Sequence, residues 1–185
     1  MSKSEFLENT LEEIIFNNPD RLPEAGLHAP GKLYRQVHLG SYGIADIIAI
    51  DIYPREICIS ILELKKGKVG FNELAQACRY KTCIDEYLYS LEVPRKLLIH
   101  VNAIAIGSSI DETSDFVYLY NKIDDYISIY TYEYGFDGLK FNLVGKRWHN
   151  TGFHPKCLRE LHSTIKEKLL QSIKESVYSK GVENV

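Results

Sequence analysis

Two carboxylates and a lysine lie close together in what read as neighbouring apolar strands. Asp46 ends the run Gly43-Ile44-Ala45-Asp46, and Glu63 and Lys65 belong to Ile61-Leu62-Glu63-Leu64-Lys65. Carboxylate oxygens are the hard ligands a divalent cation prefers, and a cation held there could sit against a phosphodiester, with a lysine at hand for the charge of the reacting phosphate. Gln76 and Tyr80 follow four positions apart, which places them on one flank of a predicted helix.

The elements that must position these residues can be read from residue spacing. Ile44 to Ile52 and Glu56 to Leu64 are both rich in isoleucine, and Tyr53-Pro54-Arg55 between them is short enough for a hairpin. With Pro54-Arg55 at the loop centre, Asp46 falls directly opposite Glu63, on one face and with Cβ atoms about 5 Å apart. The period of two puts Glu63 with Ile57, Ile59 and Ile61, and Asp46 with Ile44, Ile48 and Ile50. Two ionised carboxylates ending apolar strand faces are costly unless a cation or strong donors compensate them, and Lys65 points to the side of Glu63.

Around this hairpin, Ser4 to Asn17 reads as a helix whose inner face carries Leu11, Ile14 and Ile15, ended by Asn18-Pro19. Tyr34 to Leu39 is a predicted strand and Gly40 to Gly43 a turn. After a loop at Gly67 to Gly70, Phe71 to Leu91 is a predicted helix with Leu74, Ala77, Cys78, Ile84 and Leu88 inward. Lys96 to Ile106 is the next strand, Ser114 to Ile123 a short helix, Tyr126 to Tyr134 and Lys140 to Lys146 further strands, and Pro155 to Lys180 a long C-terminal helix.

At 185 residues and 45% hydrophobic content the chain supports one packed domain over 1–185. A net charge of −3 argues against a protein that coats nucleic acid by bulk electrostatics, so the distribution matters more than the total. Ile110 to Asp137 holds seven acidic residues against Lys122 alone, whereas Gly145 to Lys174 holds seven basic residues against Glu160 and Glu167. That basic stretch reads equally as a solvated helix or as a phosphate-contacting surface. Cys58, Cys78, Cys83 and Cys157 show no CxxC spacing and read as small hydrophobes in a reducing compartment. Met1 to Asn9 lacks a leader pattern, and no stretch reaches the ~18 to 20 apolar residues of a membrane span. A cytoplasmic chain without membrane contact is expected.

The order helix, strand, hairpin carrying Asp and Glu-x-Lys, helix, strand resembles the core of the PD-(D/E)xK nuclease superfamily over roughly Ser4 to Ile106, leaving 107–185 as a C-terminal extension. Gln76-Ala77-Cys78-Arg79-Tyr80 is similar to the QxxxY motif of its RecB-like branch, and Leu11-Glu12-Glu13, Asn18-Pro19 and Gly43-Ile44-Ala45-Asp46 resemble the catalytic domain of NucS-type endonucleases. Ala45 stands where the superfamily's name has proline. The resemblance implies an α/β, restriction-endonuclease-like core with a mixed central β-sheet flanked by helices. It also implies a Mg²⁺-dependent deoxyribonuclease, with Mn²⁺ able to substitute, DNA as the partner and RNA left open. Asp46 and Glu63 would then be metal ligands, the Leu64 carbonyl a further one, and Glu12 (with Glu8 in reserve) would hold a water or a second ion. Lys65 would orient or help deprotonate the attacking water. Gln76 and Tyr80 would brace the site or contact the phosphate and terminal nucleotide.

Each residue also has a plainer reading. Asp46 could close the turn at Tyr42-Gly43, Glu63 and Lys65 could be a surface ion pair, Gln76 and Tyr80 an ordinary helix flank, and Glu12 a solvated carboxylate. No nucleophile elbow, nucleotide-cradling glycine loop, helix-turn-helix or zinc-finger pattern is present, which points away from a fixed recognition sequence. His149 and His154 read as loop residues, and Trp148 and the tyrosines from Tyr118 to Tyr134 as packing residues before base stackers. The competing functional class is a nuclease-fold protein that grips nucleic acid or a protein partner without cutting. A homodimer or a larger nuclease assembly is compatible with either.

Overall fold

The structure, a computed structural model, describes residues 8–91 and 97–146. The start of the first predicted helix, the predicted helix Pro155 to Lys180, the basic segment after Lys146 and the residues Trp148, His149 and His154 lie outside the described residues.

In chain order the elements are α1 (Glu8–Asn17), β1 (Lys32–His38), β2 (Ile44–Tyr53), β3 (Glu56–Leu64), β4 (Lys68–Val69), α2 (Phe71–Ser90), β5 (Leu98–Gly107), β6 (Ser109–Ile110), α3 (Ser114–Lys122), β7 (Ile127–Gly135) and β8 (Gly138–Leu143). Six strands form one mixed sheet in the order β1-β2-β3-β5-β7-β8, with β3, β5 and β7 parallel and the outer pairings antiparallel. This is the mixed central sheet flanked by helices expected from the sequence. The stretch Gly67 to Gly70, expected as loop, contains β4, which pairs in parallel with β6. Two-residue strands carry no periodicity for a sequence to display.

The chain divides into two compact units. The first, Met1–Asp111 with Lys122–Lys146, holds the sheet; the second takes in Glu112–Asn121.

Alternation along the strands gives the sheet two apolar faces. Ile47, Ala49, Leu62, Leu64, Ile104 and Ile106 look to the side covered by α1, where Leu11 and Ile15 are fully buried. Burying each such side chain is worth roughly 1.5 to 3 kcal/mol, which holds a short helix that would not be stable in isolation. Ile48, Ile59, Ile61 and Val101 look to the opposite side, with Tyr80, Cys83, Ile84 and Leu88 of α2. The α2 N-terminus is closed by the Glu73 carboxylate, which accepts from the Gly70 N–H at 2.8 Å. The α1 C-terminus is closed by Asn18, whose side-chain amide donates to the Ile14 carbonyl at 2.8 Å ahead of Pro19.

Candidate metal and phosphate site

The hairpin register is the one the loop position demands. Tyr53 pairs with Glu56, Ile50 with Ile59 and Ile47 with Leu62. The ladder ends there, one pair short of Asp46 and Glu63. Beyond it the Leu64 N–H, which would otherwise seek a β2 carbonyl, donates to Asp46 Oδ2 at 2.8 Å. The side chain of Asp46 therefore substitutes for the main chain at the point where the two strands stop pairing, and it binds β3 one residue past Glu63. Lys65 N–H turns the other way and donates to the Ile106 carbonyl at 2.8 Å, so this end of β3 is fixed to β5 as well.

Glu63 is 1% exposed, and its Oε1 meets Lys65 Nζ at 2.6 Å. An ion pair of this kind is not a surface pair, because the acid is buried and only the lysine reaches solvent. The equal spacing that puts Glu63 and Lys65 on one side of β3 is what lets them touch.

Glu12 arrives from α1, on the turn that carries Leu11 and Ile15. Both of its carboxylate oxygens are engaged: Oε1 accepts from Arg35 Nε at 2.8 Å and Oε2 from Gln36 Nε2 at 2.9 Å. Gln36 Nε2 also lies 3.5 Å from Asp46 Oδ1. Glu12 is 6% exposed, so the reading of it as a solvated helical carboxylate is set aside by its burial. Arg35 stacks over the Phe16 ring of α1, 5.3 Å from its centroid.

Gln76 and Tyr80 act on the other strand of the hairpin. Gln76 Nε2 donates to the Tyr80 hydroxyl at 2.7 Å, and that hydroxyl donates to the Ile44 carbonyl at 2.7 Å, two residues before Asp46. Tyr80 is 2% exposed and belongs to the inner stripe of α2, whereas the sequence placed it on a flank with Gln76. Its ring crowds Gly43, where a Cβ would lie 3.1 Å from the Tyr80 oxygen and where φ is +119°. The turn before Gly43 is tied to the same helix, since the Tyr42 hydroxyl donates to Glu86 Oε2 at 2.5 Å. That bond to Glu86 raises the Tyr42 pKa above its ordinary value.

The sequence-predicted residues thus fall at one end of the sheet, at the start of β2 and the end of β3. Glu63 and Lys65 are in contact, Asp46 touches the Leu64 main chain, and Glu12 reaches Asp46 through Gln36. Gln76 and Tyr80 hold the strand that bears Asp46. The side chain of Glu8, the reserve for Glu12, lies outside the described residues. Sequence reasoning missed Arg35 and Gln36. Polar residues in a strand read as its solvent face, and nothing in their spacing signals that they clasp a helix acid.

Among the described residues no group of three or more His, Cys, Asp or Glu side chains is gathered so as to hold a metal ion. Mg²⁺ asks for less, one or two carboxylates with waters and phosphate oxygens completing its shell, and the hard-oxygen donor set of Asp46, Glu63 and the Leu64 carbonyl fits it.

No protein-family model and no curated protein matches the chain. Among solved structures, the crystal structure of a repair endonuclease from Pyrococcus abyssi is similar to it, with 25% sequence identity, coverage of 70% of this chain and 48% of that one, and a TM-score of 0.45. The chain spans about half the length of that protein. No helix among the described residues is long and apolar enough to cross a membrane.

Proposed function

We propose that this protein is a metal-dependent nuclease that hydrolyses phosphodiester bonds in DNA. The observation that carries the reading is the assembly at one end of the β2–β3 hairpin. Asp46, the buried Glu63 with Lys65, and Glu12 come from three separate elements and are linked by named bonds. A chain with no use for such a site gains nothing from a carboxylate 1% exposed at the mouth of an apolar strand face.

In this reading Asp46 and Glu63 would hold Mg²⁺, with the Leu64 carbonyl as a further ligand, and Glu12, whose oxygens also accept from Arg35 and Gln36, would hold a water or a second ion through their remaining lone pairs. The bound ion supplies Lewis-acid stabilisation of the charge that grows on the phosphate oxygens. Lys65 Nζ orients the attacking water and donates to the phosphate, and Glu63 Oε1 aims it. Gln76 and Tyr80 hold the Ile44 carbonyl and with it the approach of Asp46 to the phosphate. DNA as the substrate follows from the resemblance of Asp46, Glu63-Leu64-Lys65 and the QxxxY helix to the RecB-like nucleases.

The test incubates the protein and its Glu63→Ala variant with single- and double-stranded, linear and circular DNA, and with RNA, in Mg²⁺ or Mn²⁺. Cutting by the parent that falls by about 10²- to 10³-fold in the variant is the expected result. Equal cutting by both, or none by either, counts against it. Nucleic-acid binding retained without cutting would favour a binding module.

A further inference from the structure

Resting on the proposed metal site, we infer that Gln36 is its positioning residue, fixing the Asp46 carboxylate for the cation through the acid of α1. Three observations carry this. First, Gln36 has φ of +47°, and it is the non-glycine residue with positive φ among those described. L side chains rarely adopt this conformation, and where it persists the surroundings impose it, often at functional sites. Second, its Nε2 lies 2.9 Å from Glu12 Oε2 and 3.5 Å from Asp46 Oδ1. An ionised carboxylate only accepts hydrogen bonds, so the amide orientation is fixed by its two neighbours, with the NH₂ group turned towards both acids. Third, the remaining oxygens of the two acids are already taken. Glu12 Oε1 is held by Arg35 and Asp46 Oδ2 by the Leu64 N–H.

Asp46 is thereby oriented from two sides, by the main chain of β3 and by an amide that the buried Glu12 holds in place. Partners that orient a metal ligand in this way commonly change metal affinity by 10- to 100-fold when removed.

The test uses the full chain and MnCl₂ alone, titrated by calorimetry, with Gln36→Gly and Gln36→Asn. Both replacements accept positive φ, glycine at no steric cost and asparagine readily, so the backbone is left at ease. Glycine lacks the amide, and asparagine carries it one methylene short of Glu12. The expected result is an unchanged far-UV circular dichroism spectrum without metal, together with a Kd for Mn²⁺ raised about 10-fold or more in both variants, whatever the melting temperature loses with the bond to Glu12. A merely structural Gln36 would lower the melting temperature and leave the Kd alone, which overturns the inference. Failure of the underlying reading looks different: the parent protein would bind no Mn²⁺ and Asp46→Asn would change nothing, which overturns both. Parent binding that is abolished by Asp46→Asn yet kept within twofold by the Gln36 variants overturns the role of Gln36 alone.

Discussion

The Tyr80 hydroxyl donates to the Ile44 carbonyl across 2.7 Å, tying the buried face of α2 to the first residue of β2. Asp46 is two residues along the same strand, so the helix motif and the acid are mechanically one unit. The hydroxyl also accepts from Gln76, which leaves its proton free to point at the strand. Tyr80→Phe keeps the ring in the core and removes only this bond. The expected cost is about 1 kcal/mol in urea unfolding, with both the Ile44 carbonyl and the Gln76 amide losing a partner. Cleavage should fall with it, because the start of β2 is no longer held. An unchanged rate would show that the motif has no hold on Asp46.

Gly43 is the counterpart of that contact. Its φ of +119° is foreign to L side chains, and an added Cβ would approach the Tyr80 oxygen to 3.1 Å and its Cε1 to 3.2 Å. Gly43→Ala therefore meets backbone strain and a tight neighbour together. A loss of about 1 to 3 kcal/mol is expected. Combining it with Tyr80→Leu should relieve the crowding and leave the backbone term, so the double variant should lose less than the sum of the two single changes. Full additivity in chemical denaturation would mean the two residues do not press on each other.

How much of this was legible before the structure depends on what kind of signal each residue carries. The hairpin was, because a two-residue loop centre at Pro54-Arg55 fixes every pair, and the observed partners Ile50 and Ile59 obey it. The faces followed from the period of two, and the contact of Glu63 with Lys65 follows from the same period. Tyr80 was placed on a flank, as a partner of Gln76, but it lies three residues after the buried Ala77 and turns inward. Its polar tip is satisfied by the strand it meets, which a helix pattern alone does not disclose. Gln36 was illegible for a different reason. Its contacts with Glu12 and Asp46 join residues 24 and 10 positions away in sequence, and its positive φ leaves no mark in the spacing of residue types.

Asp46→Asn separates the structural and chemical duties of that residue. The amide oxygen can still accept from the Leu64 N–H, now at 2.8 Å from Asp46 Oδ2, so the bond that links β2 to β3 survives. One negative charge near Glu63 and Glu12 disappears, which offsets the donor that asparagine turns towards Gln36. The melting temperature without metal should stay within a few degrees of the parent. The shift of that temperature caused by Mg²⁺ should vanish, and cleavage should fall by about 10²-fold or more. A retained Mg²⁺ shift would place the ion away from Asp46.

Lys65→Ala offers the sharpest view of how the cation and the lysine share one acid. Removing Nζ takes away the ammonium 2.6 Å from Glu63 Oε1 and leaves a carboxylate 1% exposed beside apolar strand residues. Breaking a fully buried pair costs about 3 to 5 kcal/mol, and Lys65, with a quarter of its side chain exposed, lowers that to about 2 to 3 kcal/mol. In chelator the variant should therefore unfold at distinctly lower urea than the parent. Adding Glu63→Gln should return part of the loss, since a neutral amide tolerates burial where a carboxylate does not. Adding Mg²⁺ to Lys65→Ala should also return part of it, because a cation bound to Glu63 compensates the same charge and stabilises the folded state by mass action. The two rescues should not add: once Glu63 is glutamine, Mg²⁺ has one carboxylate fewer to bind and should stabilise the double variant less. Equal stabilisation by Mg²⁺ with and without Glu63 would remove this acid from the metal site and leave Lys65 as its structural partner.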